Sequence, residues 1–301
     1  MKRFGGTRDM TRGSIAVQLL LFSLPLMLGN VFQLLYSTVD MFVVGNYVSK
    51  EAMAAVSATS VISNMSVFFF NGFSVGAGVL IARHFGAQDP ERLHAAVQTT
   101  MTATLVFCVL LTAGGMALVR PMLRLMGTPE DVMADASTYL TIYFLGITGL
   151  LIYNIGSGIL RAVGDTVRPL ALLILTSLLN IVLDLVFVLV LQAGIAGVAW
   201  ATIISQMISA ALIFLMLVRT REIYRFDPKA LHIDPGVLRQ ILNVGLPAGL
   251  QSMITAFSNL FVQSYINFFG TECMAGWGCY NKLDQYIMLP MQSMAMAATT
   301  F

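Results

Sequence analysis

The sequence predicts an all-α, polytopic membrane protein: a six-helix lobe followed by the first two helices of a second. Three observations carry that prediction. Of 301 residues, 57% are hydrophobic and 11% charged, where a soluble domain carries about 25% charge. The mean hydropathy is +0.80. Apolar windows near or above the roughly 18 residues of a membrane span recur along the chain, split by charged or Gly/Pro clusters. The formal net charge of +2 gives no argument for nucleic acid as a partner. Cys108, Cys273 and Cys279 have no metal-like spacing and read as small buried hydrophobes. His84, His94 and His232 fall in loops or at helix ends.

The basic stretch of residues 1–13 has no small-residue cleavage site after it, so it reads as a cytoplasmic leader rather than a signal peptide. Spans are then expected at Ser14–Tyr47, Glu51–Ala82, Leu93–Val119, Val132–Val163, Pro169–Leu191, Ile195–Val218, Val237–Phe269, and from Cys273 onward. Several exceed the roughly 20 residues a bilayer needs, so they must tilt, bend or protrude. Pro25 and Pro247 are the expected bends, Pro25 as a hinge. With the N-terminus inside, thirteen Lys and Arg fall on the cytoplasmic side, including Arg161 and Arg168. Three (Lys50, Arg120, Arg124) fall outside, and Lys282 lies within the last span. The positive-inside rule therefore sets the orientation.

Residues 14–218 form the expected first lobe, 219–236 a polar cytoplasmic linker, and 237–301 the start of a second lobe. Leu24-Pro25-Leu26 recurs as Leu246-Pro247-Ala248, and Ala52-Met53-Ala54 as Cys273-Met274-Ala275 at nearly the same offset. Six helices per repeat is an even number, so the two repeats enter from the same side and are related by an axis along the membrane normal. On this offset the sequence ends within its eighth helix, and a longer twelve-helix pattern is expected.

Polar residues inside the spans point to function. Ser177–Phe187 (SLLNIVLDLVF) places Asn180 and Asp184 four apart on one helix face. An aspartate at that depth costs about 2.5–3.5 kcal/mol by insertion scales and marks an ion or substrate pathway. The first helix carries Ser23, Asn30, Gln33, Ser37 and Asp40 on one stripe. The second adds Asn64, the sixth Thr202 and Gln206, and the seventh Gln251 and Thr255 but no acid. Such faces imply a shared wet interior, or inter-helix hydrogen bonding alone. There is no Ser-His-Asp order, no His/Cys metal spacing and no phosphate loop, so an enzyme is not expected. Gly72-x-x-x-Gly76-x-Gly78 suits close helix packing. Met288, Met291, Met294 and Met296 read as adaptable apolar lining.

The fourth span ends in Gly158-Ile159-Leu160-Arg161-Ala162-Val163-Gly164-Asp165-Thr166, followed by Pro169. The sixth opens with Gly194-Ile195-Ala196-Gly197-Val198-Ala199-Trp200-Ala201-Thr202. With Leu24-Pro25 and Arg83-x-x-Gly86-Ala87, these resemble the multidrug and toxic compound extrusion (MATE) transporters, in a DinF-like branch. The resemblance covers the whole chain, as the amino-terminal two-thirds of a twelve-helix member. It implies a cation site (H⁺ or Na⁺) at Asp40, Asn180, Asp184 and Thr202, with Tyr139 and Asn154 as weaker carry-overs. A substrate cavity is expected at Asn30, Gln33, Ser37, Asn64, Gln206, Gln251 and Thr255.

The implied function is a cation-coupled antiporter that exports drugs or other organic, cationic amphiphiles from the cytoplasmic (inner) membrane. It would be a monomer when full length and use no cofactor beyond the coupling ion. Its partners would be a small organic substrate and membrane lipid, not nucleic acid. The alternatives are a lipid-linked precursor flippase, or a non-transporting fragment or helical partner subunit. A flippase would need a cationic cavity for phosphates, and the span interiors are expected to hold no Arg and one Lys, Lys282. The roles of Lys282 and Asp284 are unassigned by the sequence.

Overall fold

A computed structural model describes residues 14–47, 70–125, 130–269 and 271–300, and among them every regular element is helical. In chain order these are α1 (Ile15–Tyr47), α2 (70–86), α3 (Pro90–Leu125), α4 (Glu130–Ala162), α5 (Val167–Leu185), α6 (Gly194–Arg219), α7 (Pro235–Phe268) and α8 (Thr271–Thr300). A π-helical turn, Val186–Val190, extends α5. Five helices among the described residues are long and apolar enough to cross a membrane, namely α1, α3, α4, α5 with its π turn, and α6. The described ends lie within two residues of the apolar windows except in α2, which runs on to 86 past Ala82 and whose expected start lies outside the described residues, and in α3, which begins at Pro90 and runs six residues past Val119 to Leu125. Hydropathy marks where a helix leaves the apolar layer, not where its hydrogen bonding ends.

Packing centres on α4, which lies between α3 and α6. Its glycines permit a close approach to α6. A Cβ on Gly149 would lie 2.9 Å from the backbone nitrogen of Met207, and one on Gly156 would lie 3.0 Å from Ile213. Two apolar clusters stack along these helices. One, toward the α4–α5 turn, joins Leu93, Met101, Ile155, Ile159, Val163, Ile213 and Leu217. The other, toward the opposite end of α4, joins Cys108, Leu123, Leu140, Phe144, Ile147 and Val198. Around this centre α5 packs on α6, and α1 lies between α5 and α8.

The α5 face is inverted relative to a soluble helix. Leu175, Leu178 and Val182 are each 56% exposed, whereas Asn180 is 2% and Asp184 0% exposed. Lipid is a good solvent for the first set and a poor one for the second, so the polar stripe turns inward.

The motif between α4 and α5 is a stop and restart. Gly164 takes φ +87°, the left-handed position that closes a helix. The N–H of Asp165 then donates to the Leu160 carbonyl at 2.9 Å, and that of Gly164 to Arg161 at 2.9 Å. Asp165 opens α5: its Oδ1 accepts the Arg168 N–H at 3.1 Å and its Oδ2 lies 3.2 Å from Arg168 Nε. At α7, Asp234 Oδ1 accepts the N–H groups of Gly236 (2.7 Å) and Val237 (3.1 Å), with Pro235 as the first helical residue.

Candidate functional site

A cavity opens between α1, α4, α5 and α6, with Met296 of α8 at its edge. The residues that build it come from the inward stripes. From α1 come Pro25, Gly29, Asn30 and Gln33, from α4 Tyr153, Asn154 and Arg161, from α5 Thr176, Ser177 and Asn180, and from α6 Thr202, Ser205, Gln206 and Ser209. Gly29 lets α1 lie close to α5: a Cβ there would already touch Leu170 and Leu173 at 3.6 Å.

Helical hydroxyls on this wall give their protons to their own backbone. Thr202 Oγ1 donates to Val198 at 3.0 Å, Ser205 Oγ to Ala201 at 2.8 Å and Thr176 Oγ1 to Leu172 at 2.8 Å. Asn154 Nδ2 likewise donates to Leu150 at 2.8 Å. The hydroxyl protons of Thr202, Ser205 and Thr176 are thus taken up within α6 and α5, while the Asn154 amide keeps a second N–H and its carbonyl oxygen, so the wall offers acceptors together with a donor. Asp184 is fully buried one turn beyond Asn180, immediately before the π turn. There the backbone shifts to i→i+5 bonding, as Leu191 N–H to Val186 at 3.0 Å shows. Such turns are frequent at functional sites.

Of the expected cation-site residues, the structure brings Asn154, Asn180 and Thr202 to one cavity wall, with Asp184 buried on the face that carries Asn180. Tyr139 instead packs against Ile142, Ala199 and Ile203, away from the cavity wall. The Asp40 and Ser37 side chains and Asn64 lie outside the described residues. Of the expected cavity residues, Asn30, Gln33 and Gln206 line it. Asn30 also reaches α8, its Nδ2 donating to Ser293 Oγ at 3.2 Å. Gln251 and Thr255 are exposed on α7, Thr255 donating to the Gln251 carbonyl at 3.0 Å.

One expectation is corrected outright. The span interiors are not free of arginine: Arg161, in the last turn of α4, lines the cavity. It was assigned to the cytoplasmic border by charge alone. Its spacing of seven from Asn154 puts the two on one α4 stripe, and that was the available sequence signal.

The MatE family model matches residues 25–186, more than half of the chain. The chain belongs to the MATE family. It is 31% identical over 302 residues to a probable multidrug resistance protein, YoeA, of Bacillus subtilis, covering 98% of this chain and 65% of the relative. It is 34% identical over 293 residues to the probable multidrug resistance protein YpnP of the same species, covering 97% and 64%. This MATE-family chain thus spans just under two-thirds of the length of those relatives. It also superposes on the outward-facing conformation of a multidrug resistance MATE family transporter of the MOP superfamily. That match has a TM-score of 0.91 and 27% identity, and covers 100% of this chain and 66% of the other. MATE-family members are transporters, so the chain is not an enzyme, and its apolar helices make it a multi-pass membrane protein.

Proposed function

We propose that this chain provides the cation-binding lobe of a MATE-family exporter that couples H⁺ or Na⁺ entry to the expulsion of small organic amphiphiles. The observation that carries the reading is the α5 face: Asn180 opens on the cavity and Asp184 is sealed one turn beyond it. Thr202 brings a hydroxyl oxygen to the same cavity from α6. Asp40, on the polar stripe of α1, is the fourth group of the proposed site.

The coupling follows from where these groups sit. An ionised Asp184 withdrawn from water is costly, and a proton or Na⁺ removes that cost. Neutralisation releases α1 to bend at Pro25, which is on the cavity wall, and so narrows the space a cargo would fill. Cation and cargo then favour different conformations, the requirement for exchange. The excess of Lys and Arg on one side supports an N-terminus in the cytoplasm and, in a bacterium, placement in the inner membrane.

The test uses proteoliposomes carrying the product of the complete gene, with pH and Na⁺ gradients imposed separately and efflux of a cationic dye measured. Asp184→Asn is expected to abolish gradient-driven efflux, a loss of about 100-fold or more, while the protein remains folded. Efflux unchanged by Asp184→Asn would sink the assignment.

A further inference from the structure

Arg161 gives the cavity a feature that cation coupling does not use. It carries the only formal charge among the described residues lining the cavity. No carboxylate among the described residues lies within ion-pair distance of it. The acid nearest in sequence, Asp165, turns to Arg168 instead, at 3.2 Å.

The direction of the side chain is set by the helix. Side chains on a helix lean toward its N-terminus, and α4 runs from the outer side to the cytoplasmic side on the proposed orientation. Arg161 therefore leans back into the membrane. A Cβ built on Gly158 would lie 3.9 Å from Arg161 Nη2, so the guanidinium folds over the preceding turn, across a residue with no side chain. Tyr153, further back on α4 and also on the cavity wall, interacts with its charge.

We propose that Arg161 is the cytoplasmic-end subsite for an oxyanion, a carboxylate or phosphate, carried by an amphiphilic cargo. The inference rests on the reading of this cavity as the cargo site. A guanidinium offers five donors in a planar fork and pairs such groups bidentately, and an unpaired one in a low-dielectric wall is costly until an anion arrives. The remaining wall suits the rest of such a molecule. Leu150, Leu170 and Leu173 offer apolar contact, while Asn154 and Asn180 lie toward the opposite end. Along α4, Arg161 and Asn154 are about 10 Å apart by helix rise. An extended amphiphile would thus hold its anionic head at Arg161 and its body along α5.

The test is binding to the purified chain in phosphatidylcholine nanodiscs, with decyl phosphate and decyltrimethylammonium as matched probes. Arg161→Gln is expected to weaken decyl phosphate by about tenfold or more and leave decyltrimethylammonium within about twofold, while Arg161→Lys recovers most of the loss. A second arm asks by native mass spectrometry whether phosphatidylglycerol is retained over phosphatidylcholine in an Arg161-dependent way. Decyl phosphate bound with the expected dependence identifies a free amphiphile, and retention of phosphatidylglycerol alone identifies a lipid headgroup; either supports the subsite. Decyl phosphate binding indifferent to Arg161→Gln, or both probes weakened equally, overturns it. If the cationic probe binds and no anion does, the subsite fails and the cargo-site reading stands. If neither probe nor lipid binds, the cargo-site reading fails as well.

Discussion

Asp165 shows how one side chain in a turn can matter to the whole chain. It is fully buried, and burial lifts its carboxyl above the usual range. That outweighs the Arg168 amide and guanidinium and the Val167 amide, which pull it down. The unfolded chain ionises this group at a lower pH than the folded chain does. As pH rises above the usual carboxylate range the unfolded state gains, and the stabilising contribution is lost as pH passes the raised folded value. Thermal unfolding in micelles is therefore expected to show a contribution from Asp165 that is present at acid pH and lost toward neutrality. Asp165→Asn, which keeps an acceptor for the Arg168 N–H, is expected to flatten that dependence. An unaltered pH profile in the variant would contradict the assignment. Arg161, four residues earlier, is harder to read at this scale. Charge puts it at the membrane border, while its spacing from Asn154 and the backward lean of a helical side chain take it into the cavity.

At the scale of elements the sequence was most readable where burial is one-sided. Asn180 and Asp184 on an otherwise lipid-facing helix announced the inward face of α5, and Asn30 and Gln33 did the same for α1. Gln251 and Thr255 looked equivalent on paper, yet they are exposed on α7. A polar stripe says that something must face it and leaves open which cavity that is.

The glycines of α2 were legible as packing residues, and their partner proves to be α7. A Cβ on Gly72 would lie 2.7 Å from the Gly249 Cα, and one on Gly76 would strike the Ile241 carbonyl and lie 2.9 Å from the Gly245 nitrogen. These are backbone obstacles that no rotamer change relieves. Gly76→Ala is expected to cost about 2 kcal/mol or more in chemical or thermal unfolding. Gly78 meets nothing within 4 Å, so Gly78→Ala should be neutral or stabilising by up to about 1 kcal/mol, since alanine is the better helix former. Equal effects at the two positions would refute the crossing as the cause.

Over the whole molecule, the connection between α6 and α7 departs most from its appearance in sequence. Residues 219–236 read as a polar tether, yet Tyr224 is 1% and Phe226 0% exposed, and Phe226 meets Phe214 edge-on at 5.6 Å between ring centroids. Helix α3 clamps it. Gln98 Nε2 donates to the carbonyls of Asp227 and Ala230, both at 2.6 Å, and its Oε1 accepts the Asp227 N–H at 3.2 Å. Thr99 Oγ1 accepts the Asp234 N–H at 3.1 Å. The strap thus ties α3 to the start of α7, and movement of α7 must work against these bonds.

Proteolysis tests whether that strap is rigid. Arg225 and Lys229 are exposed and offer trypsin two sites, but cleavage needs several residues of free backbone, which here means undocking Phe226 and the Gln98 clamp. The native chain in micelles is expected to be cut there at least about tenfold more slowly than the denatured chain, and Gln98→Ala, which removes the clamp on the Asp227 and Ala230 backbone groups, is expected to restore much of the rate. Native cleavage at Arg225 as fast as in the denatured chain would show that the strap is loose, and α7 would then be held through contacts such as the α2–α7 crossing instead.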